Sequence, residues 1–190
     1  MAPPYIDLSS FAGTSKTISP ADGATIKTDV SISLSEKAEF HIDAKIKVLR
    51  VERCNECTVR ALHGAVGSLE LHHCRRMTLH VLEPISSVRI DDCDDIRIIL
   101  SWRARVGYAD DSRRDIDAMT LTGSAGVGLQ VLTTGSHAVT LVYPTAADEG
   151  APVRETLLPE VLVHSVTADS GDSTGRGAVK TKHLSHGSWT

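Results

Sequence analysis

A short segment recurs along the chain, and this repeat constrains the fold more than any other feature of the sequence. Cys54, Cys74 and Cys93 hold the same place in three successive units, at spacings of 20 and 19 residues. Ser35 holds that place one unit earlier, again at a spacing of 19 residues. A fixed period of this length indicates one supersecondary unit that stacks on copies of itself.

Each unit contains two runs of alternating residues, which is the pattern of β-strands. Leu49 and Val51 share one side of the first run, and Val59 and Ala61 share one side of the second. Four or five polar residues separate the runs and suit a corner. A leucine-rich repeat has a similar length, but its asparagine ladder is missing. Two strands and two corners per unit predict an all-β fold, a parallel β-helix of about six coils.

Equivalent residues of successive units are expected to stack above one another. The inward stacks are Phe40, Val59, Leu79, Ile98 and Ile42, Ala61, Val81, Leu100. The cysteines form another inward column at a corner, with Ser35 as their isostere. The outward columns of the first strands are Ser31, Arg50, Glu70, Arg89 and Ser33, Glu52, His72, Asp91. These outward columns are either a self-compensating charge ladder or a rigid charged surface for another protein.

Patterning divides the chain into four segments. They are a capping segment (1–29), a parallel β-helix (30–144), a connector (145–160) and a C-terminal hairpin with a tail (161–190). Within the capping segment we expect short strands at residues 16–18 and 24–26. The charged residues 103–115 interrupt the coil pattern and predict a protruding loop.

Composition excludes several classes of protein. The net charge of −4 gives no basic footprint for nucleic acid. No apolar run approaches the length of a membrane span, and the N-terminus lacks the pattern of a secretion signal. We therefore expect a cytoplasmic protein whose four cysteines are free, buried thiols.

Two clusters suggest a metal, and neither has the required geometry. The carboxylates of Asp91, Asp92, Asp94 and Asp95 suggest calcium. However, alternation sends neighbouring side chains to opposite sides, and Ca²⁺ needs about 6–8 converging oxygens. Cys54 and Cys57 near the His72–Cys74 stretch suggest zinc, but the cysteines are expected to point into the coil. Motifs of phosphate-binding loops and hydrolases are missing from the sequence. We expect no metal, no cofactor and no catalytic residue.

Three stretches resemble a known family when they are taken in order. They are F-H-I-D-A-K-I-K-V-L-R-V-E-R-C, G-S-L-E-L-H-H-C-R-R-M-T-L-H-V, and V-T-L-V-Y-P followed by L-P-E. Over roughly residues 16–184 the chain is similar to the C-terminal actin-binding domain of adenylyl cyclase-associated proteins. The resemblance implies a right-handed parallel β-helix that dimerises by exchanging its C-terminal hairpin. It also implies binding of monomeric, preferably ADP-bound, actin and promotion of nucleotide exchange on subunits released by cofilin, without enzymatic chemistry.

Candidate binding residues come from the outward columns and from this resemblance. The candidates for actin contact are Arg50, Glu52, Glu70, His72, Arg89, Asp91, Pro159 and Glu160. Pro159 also fixes the direction in which the chain leaves the coil, which is an equally good reason for its presence. The candidates for dimerisation are Val161, Val163, Val166, Val179, Thr181 and Leu184. The chain departs from the family pattern at residues 90–95 and 180–184, where a partner could be touched.

Other functions remain open from the sequence. A related tubulin cofactor C-like domain activates GTPases with an arginine in a Q-x-R-like setting. Arg50 or Arg89 would have to fill that role, and the glutamine is absent. A carbohydrate-active β-helix usually has more coils and exposed aromatic platforms. A purely structural scaffold is the last alternative.

Overall fold

The computed structural model describes residues 4–61, 65–85, 87–101, 104, 129–144, 151–158, 162–167 and 178–183. Residues 65, 66, 130, 162–167 and 178–183 are described by their backbone alone. No described helix is long and apolar enough to span a lipid bilayer.

The described part of the chain is almost entirely β-structure, with a short 3₁₀ helix at Pro20–Asp22. Its strands are β1 Tyr5–Ser9, β2 Ser15–Ile18, β3 Asp29–Ser33, β4 Glu39–Ile42, β5 Ile46–Glu52, β6 Thr58–Ala61, β7 Ala65–His72, β8 Arg75–Val81, β9 Ser87–Asp91, β10 Asp94–Leu100, β11 Gln130–Thr134, β12 His137–Pro144, β13 Val153–Leu158, β14 Leu162–Thr167 and β15 Ala178–His183.

The strands form two sheets by alternating between them along the chain. The first sheet has the order β1-β3-β5-β7-β9-β11-β14-β15, and the second has β13-β12-β10-β8-β6-β4-β2. From β1 to β12 every pairing is parallel. Four regular turns, β3 to β10, carry the repeat read from the sequence. The predicted all-β parallel solenoid is confirmed, whereas the count of six coils and a hairpin extension remain predictions.

The core fills the space between the two sheets with stacked aliphatic side chains. Phe40 lies beside Val59, Val59 beside Leu79, and Leu79 beside Ile98, as the alternation predicts. The second predicted stack, from Ile42 to Leu100, is in register as well. All these side chains are buried. Each fully buried aliphatic side chain stabilises the fold by about 1.5–3 kcal/mol relative to exposure.

Each corner between a first and a second strand contains left-handed backbone at two places. In the turn that starts with β5, Arg53 has φ of 52° and Glu56 has φ of 54°. The corresponding residues of the other coils share this conformation: Ser10, Leu34, His73, Asp92 and Gly135 at the first place, and Gly13, Lys37, Arg76, Asp95 and Ala138 at the second. Most of these residues are not glycine, so the left-handed conformation follows from the stacking of the coils rather than from the residue type.

The N-terminal segment joins the solenoid rather than lying apart from it. β1 and β2 pair in parallel with β3 and β4, and the strand expected at residues 16–18 is confirmed. The strand expected at residues 24–26 is wrong. The amide of Thr28 donates to the carbonyl of Thr25 at 2.9 Å, and the amide of Thr25 donates to Thr28 Oγ1 at 3.0 Å. These bonds close a turn and remove the donor that a strand needs.

Strand direction reverses after β12. β13 lies antiparallel to β12, so part of the segment expected to be a connector is a strand. β14 lies antiparallel to β11, and β15 lies antiparallel to β14. Only Ala104 of the loop predicted at residues 103–115 is described, and that residue is buried; the rest lies outside the described residues.

Candidate functional site

The charged residues predicted on the first strands come together on the outer side of the first sheet. Strand register places Arg50 beside Glu70 and Glu70 beside Arg89, as predicted. The same register places the neighbouring column Glu52, His72 and Asp91 in line. These six residues, Arg50, Glu52, Glu70, His72, Arg89 and Asp91, are called the charged face below.

Arg50 and Glu70 form the central pair of the charged face. Arg50 Nε and Nη2 each donate to Glu70 Oε2 at 3.1 Å, and Ser68 Oγ donates to Glu70 Oε1 at 2.9 Å. Burial disfavours ionisation of Glu70, but the hydrogen bonds from Ser68 and Arg50 outweigh it and hold the pKa of Glu70 below its ordinary value. Glu70 is therefore a fixed anion between two strands.

Arg89 behaves differently from the predicted ladder. It donates from Nε to Asp91 Oδ2 at 2.7 Å, along its own strand, instead of reaching across to Glu70. His72 Nδ1 lies 3.4 Å from Asp91 Oδ2, and His72 Nε2 lies 3.8 Å from Glu70 Oε2. All residues of the charged face except Glu52 are thus joined in one network rather than a simple ladder, and Glu52 Oε1 lies 3.5 Å from Arg53 Nε instead. Asp91 Oδ1 is buried and has no hydrogen-bond partner among the described residues.

Exposure differs between the cations and anions of this network. The side chains of Arg50 and Arg89 are 49 % and 58 % exposed, whereas those of Glu70 and Asp91 are 21 % and 16 % exposed. The carboxylates lie close to the sheet, and the guanidinium groups project beyond them. Since a guanidinium carries five N–H donors in a planar fork, each arginine keeps donors available for an acidic partner.

Two small side chains border the charged face on β3. Ser31 and Ser33 occupy the positions next to Arg50 and Glu52 on β3, and Ser31 is almost fully buried. Small side chains leave little relief there. A partner would therefore meet a rigid plate, because its backbone is hydrogen-bonded on both sides.

The clusters that suggested metals are occupied in other ways. Asp92 Oδ2 lies 3.7 Å from His73 Nδ1, and Asp91 belongs to the charged face. All four cysteines are free and buried, and three of them, Cys54, Cys74 and Cys93, form the corner column. Within the described ranges no group of three or more histidine, cysteine or acidic side chains is arranged to hold a metal ion.

The corner cysteines act as core residues that bond the backbone. Cys74 Sγ donates to the carbonyls of His72 at 3.3 Å and Val51 at 3.5 Å, and Cys93 Sγ accepts from the Cys74 amide at 3.3 Å. The hydrogen bond with Cys54 lowers the pKa of Cys74, but the bond with Cys93 and burial outweigh it and raise that pKa to about 12. Thiols with raised pKa are poor nucleophiles and poor metal ligands at neutral pH.

The candidates near the C-terminus are less completely described. Pro159, Glu160, Val161 and Leu184 lie outside the described residues. Val163 and Val166 lie in β14, and Val179 and Thr181 lie in β15, where the backbone alone is described. Their roles in actin contact and dimerisation stay predictions.

Sequence reasoning missed Leu34, which lies at the first left-handed corner position beside the charged face. Its side chain is exposed although it is large and apolar. The repeat already made Leu34 equivalent to Arg53, because Leu34 precedes Ser35 as Arg53 precedes Cys54. Only the backbone conformation shows that this position is a corner turned outward.

Comparisons with known proteins agree with the observed fold. The family model described as "Adenylate cyclase associated (CAP) C terminal" matches residues 11–107, just over half of the chain. No curated protein matches the chain. The chain is similar in fold to a crystal structure of the cyclase-associated protein from Cryptosporidium parvum, with a TM-score of 0.54 and 17 % identity over 94 % of this chain and 84 % of that chain. The chain therefore belongs to the family of C-terminal domains of adenylate cyclase-associated proteins.

Proposed function

We propose that this protein binds monomeric actin through the charged face, prefers the ADP-bound form, and promotes nucleotide exchange as a homodimer. Membership in the family implies actin binding in general. The observation that carries the choice of surface is the network around Arg50, Glu70 and Arg89, in which anchored carboxylates hold two projecting guanidinium groups. Such an arrangement is complementary to an acidic patch on a protein.

The mechanism requires no covalent chemistry by this chain. A rigid surface that binds one actin conformation better than another shifts actin towards that conformation by the difference in binding free energy. If the favoured conformation has an open nucleotide cleft, exchange becomes faster. The parallel solenoid suits this role because its core is close-packed and deforms little. The protein is a binding partner, and we assign it no catalytic residue.

Dimerisation is proposed to occur by exchange of the hairpin β14–β15 between two copies. In one chain the backbone of Val163 is paired with that of Leu132, and Thr181 with His164. The same pairings can form with β11 of a second copy, so exchange needs no new contacts. The exchanged hairpin belongs to a proposed division of the chain into four segments. These are a capping segment (1–29), a β-helix that completes six coils (30–144), a connector (145–160) and a hairpin with a tail (161–190). Val161, Val166, Val179 and Leu184 are its further candidate contacts.

The cellular setting follows from the partner. We place the protein in the cytoplasm, associated with the cytoskeleton, where it receives ADP-actin after cofilin. Pro159 and Glu160, between the last strand of the second sheet and the hairpin, are proposed as an additional actin contact. A dimer would present this segment and the charged face twice.

Reversing the charge of the two projecting arginines tests the proposed face. The double variant Arg50→Glu, Arg89→Glu should weaken actin binding at low salt by roughly tenfold or more, because two attractive contacts become repulsive. Affinity for fluorescently labelled ADP-actin and the rate of labelled-nucleotide release measure the effect. Circular dichroism checks that the double variant stays folded. Unchanged affinity removes this face from the proposal.

A matched control lies on the second sheet. Arg60 Nε is 2.8 Å from Glu39 Oε1, and Arg97 is ion-paired with Glu155, so both arginines resemble Arg50 in setting. The double variant Arg60→Glu, Arg97→Glu has the same net charge as the test variant. It should bind actin as the unaltered protein does. An equal loss in both variants would mean that overall charge, not the charged face, controls binding.

The GTPase-activating alternative is not favoured by the family match. The glutamine of a Q-x-R-like setting is also absent from the sequence. A GTPase assay with tubulin and with a small G protein, run beside the actin exchange assay, separates the two functions.

A further inference from the structure

The first left-handed corner position carries one residue that does not suit it. This position has φ between 51° and 62° in every coil, and its occupants are Ser10, Leu34, Arg53, His73, Asp92 and Gly135. Five of these are polar residues or glycine, the types expected on an exposed turn. Leu34 alone is apolar, and a bulky residue in the left-handed region is an outlier.

Neither packing nor backbone bonding explains a leucine at this place. The side chain of Leu34 is 58 % exposed, so it contributes little to the core. Its amide donates to the Glu52 carbonyl at 3.1 Å, a bond that any residue with an amide could make. Strain and apolar exposure at the same residue both oppose its presence in the isolated fold. Such a combination is a reason to look for function.

The surroundings of Leu34 suggest what covers it. Leu34 follows Ser33, whose neighbour in the next coil is Glu52 of the charged face. The next occupant of its column, Arg53, lies 3.5 Å from Glu52 through Nε. An apolar side chain bordered by charged and hydroxyl groups suits a protein interface, where polar neighbours exclude water from an apolar anchor.

We propose that Leu34 is an apolar anchor for actin at the edge of the charged face. The inference rests on the proposed function, because it takes actin as the partner that meets the charged face. Arg50 and Arg89 then orient the partner, and Leu34 fills an apolar pocket on its surface. The strain at φ of 51° is retained because glycine or asparagine, which fit the backbone, would remove the anchor.

Three substitutions at one position test the inference. Leu34→Gly and Leu34→Asn fit left-handed backbone and should weaken actin binding by roughly ten- to a hundredfold, the range expected for removing one buried leucine side chain. Leu34→Met keeps an apolar side chain and should bind within about twofold of the unaltered protein. Unfolding midpoints should be unchanged or higher for Leu34→Gly, which excludes misfolding as the cause of lost binding.

Lys37→Gly is the matched control. Lys37 lies in the same coil at the second left-handed position, with φ of 52°, so the change relieves similar strain and keeps Leu34. It should leave actin affinity unchanged. Unaltered protein that fails to bind actin refutes the proposed function itself. The proposed anchor is wrong if the Leu34→Gly variant still binds actin with unchanged affinity. It is also wrong if the mass of this variant falls from dimer to monomer, because Leu34 would then contact a second copy of the chain rather than actin.

Discussion

The corner cysteines show how far individual residues can be predicted. Their inward position and their equivalence to Ser35 were predicted from spacing alone, and Ser136 extends the column in the same way by accepting from the Cys93 amide at 3.1 Å. The preceding left-handed residues were not predicted. Arg53 has no local preference for that conformation, so no propensity could reveal it there. Stacking of the coils imposes it, and stacking is a long-range property.

Buried thiols make stability depend on pH in the alkaline range. The pKa is raised to about 11 for Cys54 and to about 12 for Cys74, from an ordinary value of 9.0. The unfolded chain loses these protons near pH 9 while the folded chain keeps them, so the free energy of unfolding should fall as pH rises from 9 towards 12. Urea unfolding at several pH values measures this slope.

Serine variants separate the thiols from other groups that titrate in this range. Cys54→Ser, Cys74→Ser should stay folded, since serine fills the same place at Ser35 and Ser136, and the alkaline fall should become shallower. An identical slope in the variant and the unaltered protein would assign the pH effect to groups other than Cys54 and Cys74.

β7 explains why one repeat is longer than its neighbours. Ile46 pairs with Ala65 but Val48 pairs with Ser68, so β7 contains one extra residue, a β-bulge, at Gly67. The spacing of 20 residues between Cys54 and Cys74 agrees with this extra residue, since the units on either side have 19, but alternation does not locate it within the coil. A Cβ at Gly67 would lie 2.7 Å from the Lys47 carbonyl oxygen. Close approach of two backbones therefore requires glycine there.

Adding a methyl group at this bulge should be costly. We expect Gly67→Ala to lower the free energy of unfolding by about 1–3 kcal/mol, because backbone must move to relieve the contact. Chemical denaturation measures the loss.

Deleting Gly67 provides the comparison. The deletion leaves a coil of 19 residues like the coils on either side, and should cost less than the alanine substitution. A Gly67→Ala variant as stable as the unaltered protein would show that β7 adjusts freely at the bulge.

The repeat in the sequence predicts the middle of the solenoid but not the strands at its two ends. The four regular turns were predicted because equivalent residues meet at each coil. β1 and β13 were missed, since an edge strand is chosen by the surface it covers rather than by a repeated pattern. Likewise, the residues of the charged face were predicted, but the ion pair of Arg89 was not. Arg89 pairs with Asp91 because of its side-chain rotamer, and a rotamer cannot be read from the sequence.

Removing residues 161–190 tests the role of the last two strands. The truncated chain should be monomeric or should aggregate, because β11 then has an unpaired edge. Light scattering after size-exclusion chromatography measures the mass. A shorter truncation that removes residues 185–190 should behave like the complete chain. A stable, actin-active monomer from the longer truncation would contradict dimerisation through this segment.

The reversal of strand direction after β12 has a consequence for growth. Among the described residues, the first sheet continues two strands past its last parallel member, and the second sheet continues one. The two ends of the sheets are therefore out of step. We therefore expect that a further molecule adding head to tail cannot pair with both sheets at once, which disfavours growth into a filament.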